Sequence, residues 1–329
     1  RKLLFILITV EDELSAYTVF ETLNARGLEL SSTDLLKNFL FSRVKAKADL
    51  TALQRRWKAL VDVVRQERFP DFLRYHLLCD APQVRKQRLF KLVQVQVSHA
   101  ADVFALMQAL ESRAELFAAL NDAEHEYWQG SAEARRHIRE LLLFRVRQPT
   151  PLLFAAHERL DFADFVRVLK LVSVLSFRYT VVSGLNTNAL EPVYHQAANA
   201  LLTGQIHRPS EVFQRLQGIY VEDSSFISDF ARLDIATAGQ RKRLVKYVLC
   251  QLEADATGVH RDYETDAGTI EHILPENPLG DWSESFDAQR QERFVYRLGN
   301  LTLLEASLNR QVGNQEWTDK VAVYAQSQY

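Results

Sequence analysis

The sequence predicts a mainly α-helical protein, a helical bundle, that ends in a smaller domain of mixed α and β structure. From about Leu50 to about Ala200, apolar residues recur at three- and four-residue intervals, as on the buried faces of bundled helices. Near the segment DATGVHRDYETDAGT the pattern changes to short apolar stretches between turn residues. The sequence has no repeat of fixed period, so a compact bundle is favoured over a solenoid.

The composition is that of a folded protein of about two domains, since a domain averages roughly 150 residues. The chain has 329 residues, of which 47% are hydrophobic and 25% charged, and its net charge is -2. Two cysteines, Cys79 and Cys250, lie far apart, which argues against a disulfide framework or a cysteine zinc site and favours a reducing, cytoplasmic compartment. No apolar run reaches the roughly 18 residues needed to cross a bilayer, so no membrane partner is expected.

Four segments are rich in Lys and Arg: QRRWKAL, VRKQRLFKL, EARRHIRELLLFRVR and QRKRLVKY. Each also has apolar residues at helical spacing, so the simplest interpretation is a solvated helix face. The alternative is a local basic surface for a polyanion, which a near-neutral chain does not exclude.

Residues 1–48 are typical of the end of a domain whose beginning is absent. The run Leu3–Val10 predicts a buried strand, and the next segment predicts a helix that stops at Gly27. Ser31 and Asp34 approximate the capping box of a second helix. The apolar stripe of that helix consists of Leu35, Leu36, Phe39 and Leu40. The turn NARG between the helices is explained by a simple junction, with phosphate binding as the alternative.

The most specific pattern lies near the C-terminus. In TIEHILPENP, Glu271 and His272 stand side by side within an apolar run, and an extended backbone would point them to opposite faces. In YRLGNLTLLEASLN, a turn at Gly299 precedes Asn300, and Asn309 follows nine residues later on a predicted helix. A neutral imidazole can take a proton from water near pH 7, and carboxylate and amide oxygens suit Mg²⁺ or Mn²⁺.

This order of residues resembles the HNH, or ββα-metal, nuclease motif, in which a hairpin is followed by a helix. The resemblance implies that His272 is the general base and that Glu271 and Asn309 are ligands of Mg²⁺ or Mn²⁺. It implies that Asn300 holds the hairpin and orients the imidazole. Cysteines that many members place around the motif are absent, so packing must replace them. The candidates for that packing are Leu301, Leu303, Leu304 and Trp317.

Longer segments look like the GmrSD-like family of modification-dependent (type IV) restriction enzymes. IEHILPENP, LGNLTLLEASLN and WTDKVAVYAQS are similar to its C-terminal nuclease domain, where Lys320 would approach phosphate. VFETLNARGLELSSTDLLKNFLF resembles the closing part of its ParB-like N-terminal domain, and FLRYHLL and FRYTVVSGLNTNALEP resemble its helical middle. The implied domains are 1–48 (ParB-like), 49–225 (helical middle) and 226–329 (HNH-like nuclease).

The resemblance implies a metal-dependent DNA endonuclease of a restriction or phage-defence system. Its partner would be DNA, including modified phage DNA, and a homo-oligomer is left open. The alternative is a catalytically inactive DNA-binding or assembly module of the same family. Nucleotide hydrolysis is not assigned, because the Asp-Gly-Gln-Gln-Arg type motif of the family is absent from this sequence. Structural interpretations also stay open: Asn300 as a turn cap, Asn309 as a helix C-cap and Lys320 as a surface lysine.

Overall fold

The computed structural model describes residues 32–85, 88–278 and 280–329. These residues form two compact units. The first takes in the described residues up to Leu142 with Val146–Val174 and Asn186–Ile219, and the second takes in Leu143–Arg145, Leu175–Leu185 and Tyr220–Tyr329. The predicted strand at Leu3–Val10, the helix that stops at Gly27 and the NARG turn lie outside the described residues.

The described chain as far as Ile219 is helical, as predicted. Its α-helices are α1 Ser32–Ser42, α2 Lys47–Val64, α3 Phe69–Leu77, α4 Leu89–Gln96, α5 Ala100–Leu120, α6 Ala132–Phe144, α7 Thr150–Arg159, α8 Phe162–Ser176, α9 Leu190–Leu202 and α10 Pro209–Leu216. A π-helical segment, Phe177–Val182, follows α8. Among the described residues, every helix is too short or too polar to cross a membrane.

Helix α1 confirms the second helix predicted for the N-terminal segment. Leu36, Phe39 and Leu40 are buried, and Leu35 is partly buried, as the three- and four-residue spacing requires. The predicted start at Ser31 lies just outside the described residues, so its capping role is not described.

Aromatic side chains from several helices form the centre of the first unit. Phe72 contacts Phe117 and Phe154, with ring centroids 5.1 and 6.2 Å apart, and Trp57 lies 5.0 Å from Phe69. Such tilted and edge-on pairs add to the stabilisation from apolar burial. The core is thus built from long-range contacts between helices rather than within them.

A buried polar network lies within the same unit. The Arg113 guanidinium donates to Glu158 Oε1 at 2.6 Å and lies 3.0 Å from His76 Nδ1. Burial, helped by the Arg113 charge, lowers the pKa of His76 to about 3. His76 is therefore neutral at pH 7, and its Nδ1 accepts from the guanidinium.

Some of the arginines in the basic segments form ion pairs with glutamates. Arg56 makes a two-bond pair with Glu111, at 2.8 and 2.6 Å, and Arg139 donates to Glu124 at 2.7 Å. These pairs favour the structural interpretation of QRRWKAL and EARRHIRELLLFRVR as helix faces.

The second unit combines helices with a two-stranded sheet, which confirms the predicted C-terminal α+β domain. Its elements are α11 Asp223–Phe230, α12 Arg241–Thr257, β1 Thr269–His272, α13 Asp281–Ser285, α14 Ala288–Phe294, β2 Leu301–Leu304, α15 Ala306–Val312 and α16 Trp317–Tyr324. Helix α12 ends at Gly258, whose φ of 76° is in the left-handed region that glycine adopts without strain.

The hairpin of β1 and β2 is antiparallel and separates two small cores. Ile270, Leu301 and Leu303 pack with Val245 and Val248 of α12 on one face. On the other face, Leu304 packs with Val312 of α15 and Val323 of α16. The predicted packing roles of Leu301, Leu303 and Leu304 are confirmed.

The packing role predicted for Trp317 is wrong. Its side chain is 51% exposed at the first position of α16, whereas Lys320 on the same helix is fully buried. The helix is rotated so that Lys320 and Val323 face the hairpin, and Trp317 contacts Tyr324 at the helix surface with a centroid distance of 6.4 Å.

Candidate functional site

The hairpin register separates Glu271 from His272. Glu271 pairs with Thr302 and His272 pairs with Leu301, so each side chain shares a face with its cross-strand partner. The expectation that an extended backbone points these two side chains to opposite faces is confirmed.

The imidazole of His272 lies in a partly buried polar cluster. Its Nε2 is 3.2 Å from Thr237 Oγ1 and 3.7 Å from Glu276 Oε1, and its side chain is 15% exposed. Tyr296 contacts the ring edge-on, at 5.9 Å between centroids, and donates its hydroxyl proton to Glu276 Oε1 at 3.0 Å.

This environment favours the neutral form of the histidine. Burial is the largest effect and lowers the pKa of His272 below the ordinary value; Lys320 acts in the same direction, and Glu276 and Glu271 oppose it. Nε2 has two oxygen neighbours, Thr237 Oγ1 within hydrogen-bond distance and the Glu276 carboxylate slightly beyond it, and an environment of acceptors suits the tautomer with its proton on Nε2. No described residue makes a hydrogen bond to Nδ1, and in this tautomer Nδ1 is the nitrogen without a proton.

The Glu271 carboxylate belongs to a buried ion pair. Its Oε1 accepts from Lys320 Nζ at 2.6 Å and from the Tyr324 hydroxyl at 2.8 Å. Lys320 Nζ also donates to the backbone oxygen of His272 at 2.9 Å. Burial and the neighbouring Glu271 raise the pKa of Tyr324 far above its ordinary value, so Tyr324 stays a hydrogen-bond donor.

The surface-lysine interpretation of Lys320 is wrong, since its exposure is 0%. In this structure the ammonium is also not accessible to a phosphate group. Its partners are Glu271 and the end of β1, so it fixes the strand that carries His272.

Asn300 binds the loop that follows β1. Its Nδ2 donates to Leu274 O and Val295 O at 3.0 and 2.9 Å, and its Oδ1 accepts from Leu274 N at 2.7 Å. Its backbone oxygen accepts from Ile273 N at 2.9 Å. These contacts hold the hairpin, as the resemblance implies. The described contacts of Asn300 do not include the imidazole.

Asn309 ties helix α15 to strand β1. Its Nδ2 donates to Thr269 Oγ1 at 2.9 Å and to Ile270 O at 3.1 Å. Asn309 lies within α15, which ends at Val312 with Gly313 as its C-cap, so the C-cap interpretation is wrong. Asn309 lies next to β1 on the face of Glu271, opposite the face of His272.

The residues proposed as metal ligands do not form a prepared cation site. Among the described residues, no three His, Cys, Asp or Glu side chains are grouped so as to hold a metal ion. The charge of Glu271 is already balanced by Lys320, and the amide nitrogen of Asn309 faces the β1 backbone. A divalent ion at Glu271 would have to replace the ammonium.

Sequence reasoning missed Thr237, Glu276 and Tyr296, the neighbours of the imidazole. For Glu276 a signal was present, because it stands four residues after His272 and the turn at Pro275 brings it back beside the ring. Thr237 is 35 residues before His272, and Tyr296 is on the far side of the loop, so no local spacing points to either.

Together, the hairpin, the helix α15 and the partly buried histidine define a small ββα domain. Residues 220–329 match the family described as GmrSD restriction endonucleases, C-terminal domain. This match confirms the resemblance to a GmrSD-like family over these residues. No curated protein matches the chain. The similarity of the earlier segments and the three-domain division stay predictions.

Proposed function

We propose that the chain is a DNA endonuclease of a restriction or phage-defence system and that its C-terminal domain hydrolyses phosphodiester bonds. The observation that supports this most directly is His272, a partly buried imidazole whose pKa is lowered and whose described hydrogen bond is made by Nε2, within the region that matches the GmrSD restriction endonuclease C-terminal domain. The HNH type of chemistry, the modified phage DNA and the cytoplasmic location belong to this proposal.

In the proposed reaction, His272 Nδ1 takes a proton from water as the water oxygen attacks phosphorus. The new bond joins that oxygen to phosphorus, and the bond from phosphorus to the 3′ oxygen breaks. The leaving oxygen takes a proton from solvent, so the products carry a 5′-phosphate and a 3′-hydroxyl. The charge of Glu276, 3.7 Å from Nε2, favours the imidazolium that forms.

Other residues act by positioning the base. Lys320 binds the carbonyl of His272, and Asn300 binds the loop at Leu274. Asn309 fixes the start of β1. Their roles are therefore proposed to be positioning ones, exerted through the backbone that carries the imidazole.

A requirement for Mg²⁺ or Mn²⁺ is proposed from the resemblance alone. Such an ion would supply charge stabilisation at the phosphate. The arrangement of Glu271, Lys320 and Asn309 does not fit it, so no step is assigned to a metal here. Titration of each ion against chelator-treated protein tests the requirement separately from the role of His272.

The test of the proposal is cleavage of two substrates, unmodified supercoiled plasmid and modified phage DNA. Each is incubated with and without Mg²⁺ or Mn²⁺. His272→Ala should abolish nicking and linearisation. His260→Ala is the matched control, because His260 is an exposed histidine of the same unit. Cleavage retained by folded His272→Ala protein would reject the proposal.

A second candidate is a DNA-binding or assembly module without activity. It is favoured by one observation, the Lys320 ammonium bound to Glu271 where the resemblance implies a metal ligand. Salt-dependent DNA binding without cleavage in any divalent ion would support this candidate.

A further inference from the structure

Three arginines lie close together in the sequence between Glu276 and β2. Arg290 and Arg293 are exposed on α14, and Arg297 is partly exposed in the turn that follows. The aromatic ring of Phe294 lies 5.4 Å from the Arg293 guanidinium and 5.8 Å from that of Arg297. Arg293 and Arg297 therefore lie beside the same ring, and Arg290 precedes Arg293 by three residues on α14. We call Arg290, Arg293 and Arg297 the arginine row.

The arginine row has no acidic partner among the side chains that the structure describes. Arg290 Nη1 donates to Ser285 O at 3.4 Å and Arg297 Nε donates to Arg293 O at 3.3 Å, both of which are backbone carbonyls. Three positive charges are therefore left without a carboxylate within the described part of the chain.

Four other arginines of the same unit have a carboxylate partner. The carboxylate partners are Asp223 for Arg178, Asp229 for Arg232, Glu264 for Arg243 and Asp266 for Arg261. Residues 220–329 also contain more acidic than basic side chains. Residues 281–297 also carry four acidic side chains, so the distinguishing feature of the arginine row is that its guanidinium groups have no described carboxylate partner and are available to an anion.

The arginine row lies next to the imidazole. Tyr296, which directly precedes Arg297, contacts the His272 ring, and Gln291 on α14 donates to the Glu276 backbone at 2.9 Å. At about 1.5 Å per helical residue, Arg290 and Arg293 are about 4.5 Å apart along α14, and Arg297 lies beyond the helix end. Duplex DNA carries one charge per about 1.7 Å of axis, so more than one phosphate falls within the reach of the row.

We infer that the arginine row binds the phosphate backbone of duplex DNA and aligns a strand with His272. The inference deepens the proposed function and rests on it for the identity of the polyanion. Because the contacts are to phosphate, they are independent of sequence and of base modification.

The test is DNA binding by the full chain in a His272→Ala background, which leaves the DNA uncut. Fluorescence anisotropy of a labelled duplex is measured as a function of NaCl concentration, with unmodified and modified DNA. Arg290→Gln with Arg293→Gln should weaken binding to both DNAs equally and reduce the salt slope by about one unit for each phosphate that the variant no longer binds. Arg290→Lys with Arg293→Lys should keep the slope, because the charge is retained.

Arg243→Gln is the matched control, since Arg243 is exposed in the same unit but paired with Glu264. Its affinity and salt slope should equal those of the His272→Ala parent. A double Gln variant that keeps the parent's affinity and slope would overturn the inference. Arginine-dependent binding by a wild-type chain that never cleaves DNA would instead reject the nuclease and leave the surface in place.

Discussion

Lys320 donates a hydrogen bond of 2.6 Å to Glu271, and both side chains are buried, at 0% and 5% exposure. This ion pair joins α16 to β1 within the domain that carries His272. Removing one member of a buried pair leaves an uncompensated charge, which costs more than the pair itself contributes.

Lys320→Met should lower the free energy of unfolding by about 3–5 kcal/mol, because it leaves Glu271 charged and buried. Urea unfolding of the full chain measures the change. Lys320→Met combined with Glu271→Gln should recover part of this stability, since no charge then remains. Arg243→Gln, which breaks an exposed pair, should cost less than about 1 kcal/mol. A Lys320→Met variant as stable as wild type would contradict the buried pair.

Asn300→Ala should destabilise the domain by about 2–3 kcal/mol, because it removes the side-chain partner of Leu274 N and Leu274 O. Cleavage should fall together with stability, measured by thermal unfolding and plasmid cleavage on the same preparations. If cleavage disappeared while stability stayed unchanged, Asn300 would act in the chemistry directly, and the positioning role would be rejected.

The pH dependence of cleavage should report the lowered pKa of His272. Only the neutral ring can take a proton, so activity is lost as pH falls through this pKa. The acid limb of the single-turnover rate should therefore lie below the ordinary histidine value of about 6.5. Glu276→Gln removes a charge that favours imidazolium, so it should move the limb to still lower pH. An acid limb with its midpoint above the ordinary histidine pKa would contradict the burial of the ring.

In the first unit, His76 should make unfolding pH-dependent. Its pKa is about 3 in the folded protein and about 6.5 when unfolded, so the unfolded chain binds more protons between these values. Stability from this group is complete above pH 6.5 and is lost as pH falls toward 3, by up to about 1.4 kcal/mol per pH unit. Urea titrations at several pH values give the free energy of unfolding of wild type and of His76→Asn. As pH falls, this free energy should decrease more steeply in wild type, by the slope given above. Identical slopes would show that His76 is not buried as a neutral group.

The sequence predicted the features that depend on local pattern. The α1 stripe and the opposite faces of Glu271 and His272 follow from helical and strand periodicity, whereas the order of two strands and a helix was implied by the family resemblance. The orientation of α16 did not follow, because Trp317 is more apolar than Lys320 and was expected inside. The pairing of Lys320 with Glu271 across 49 residues outweighs that preference. Thr237 was missed for the same reason, since its contact with His272 is long-range.

The most direct test of the account is the single-turnover cleavage rate of a duplex that the wild-type chain cuts. His272→Ala should reduce the rate by about 10²–10⁴-fold, the usual contribution of a general base, while DNA affinity and the unfolding midpoint stay unchanged. His260→Ala should cut at the wild-type rate. Equal rates for wild type and a folded His272→Ala variant would contradict the assignment of His272 as the base.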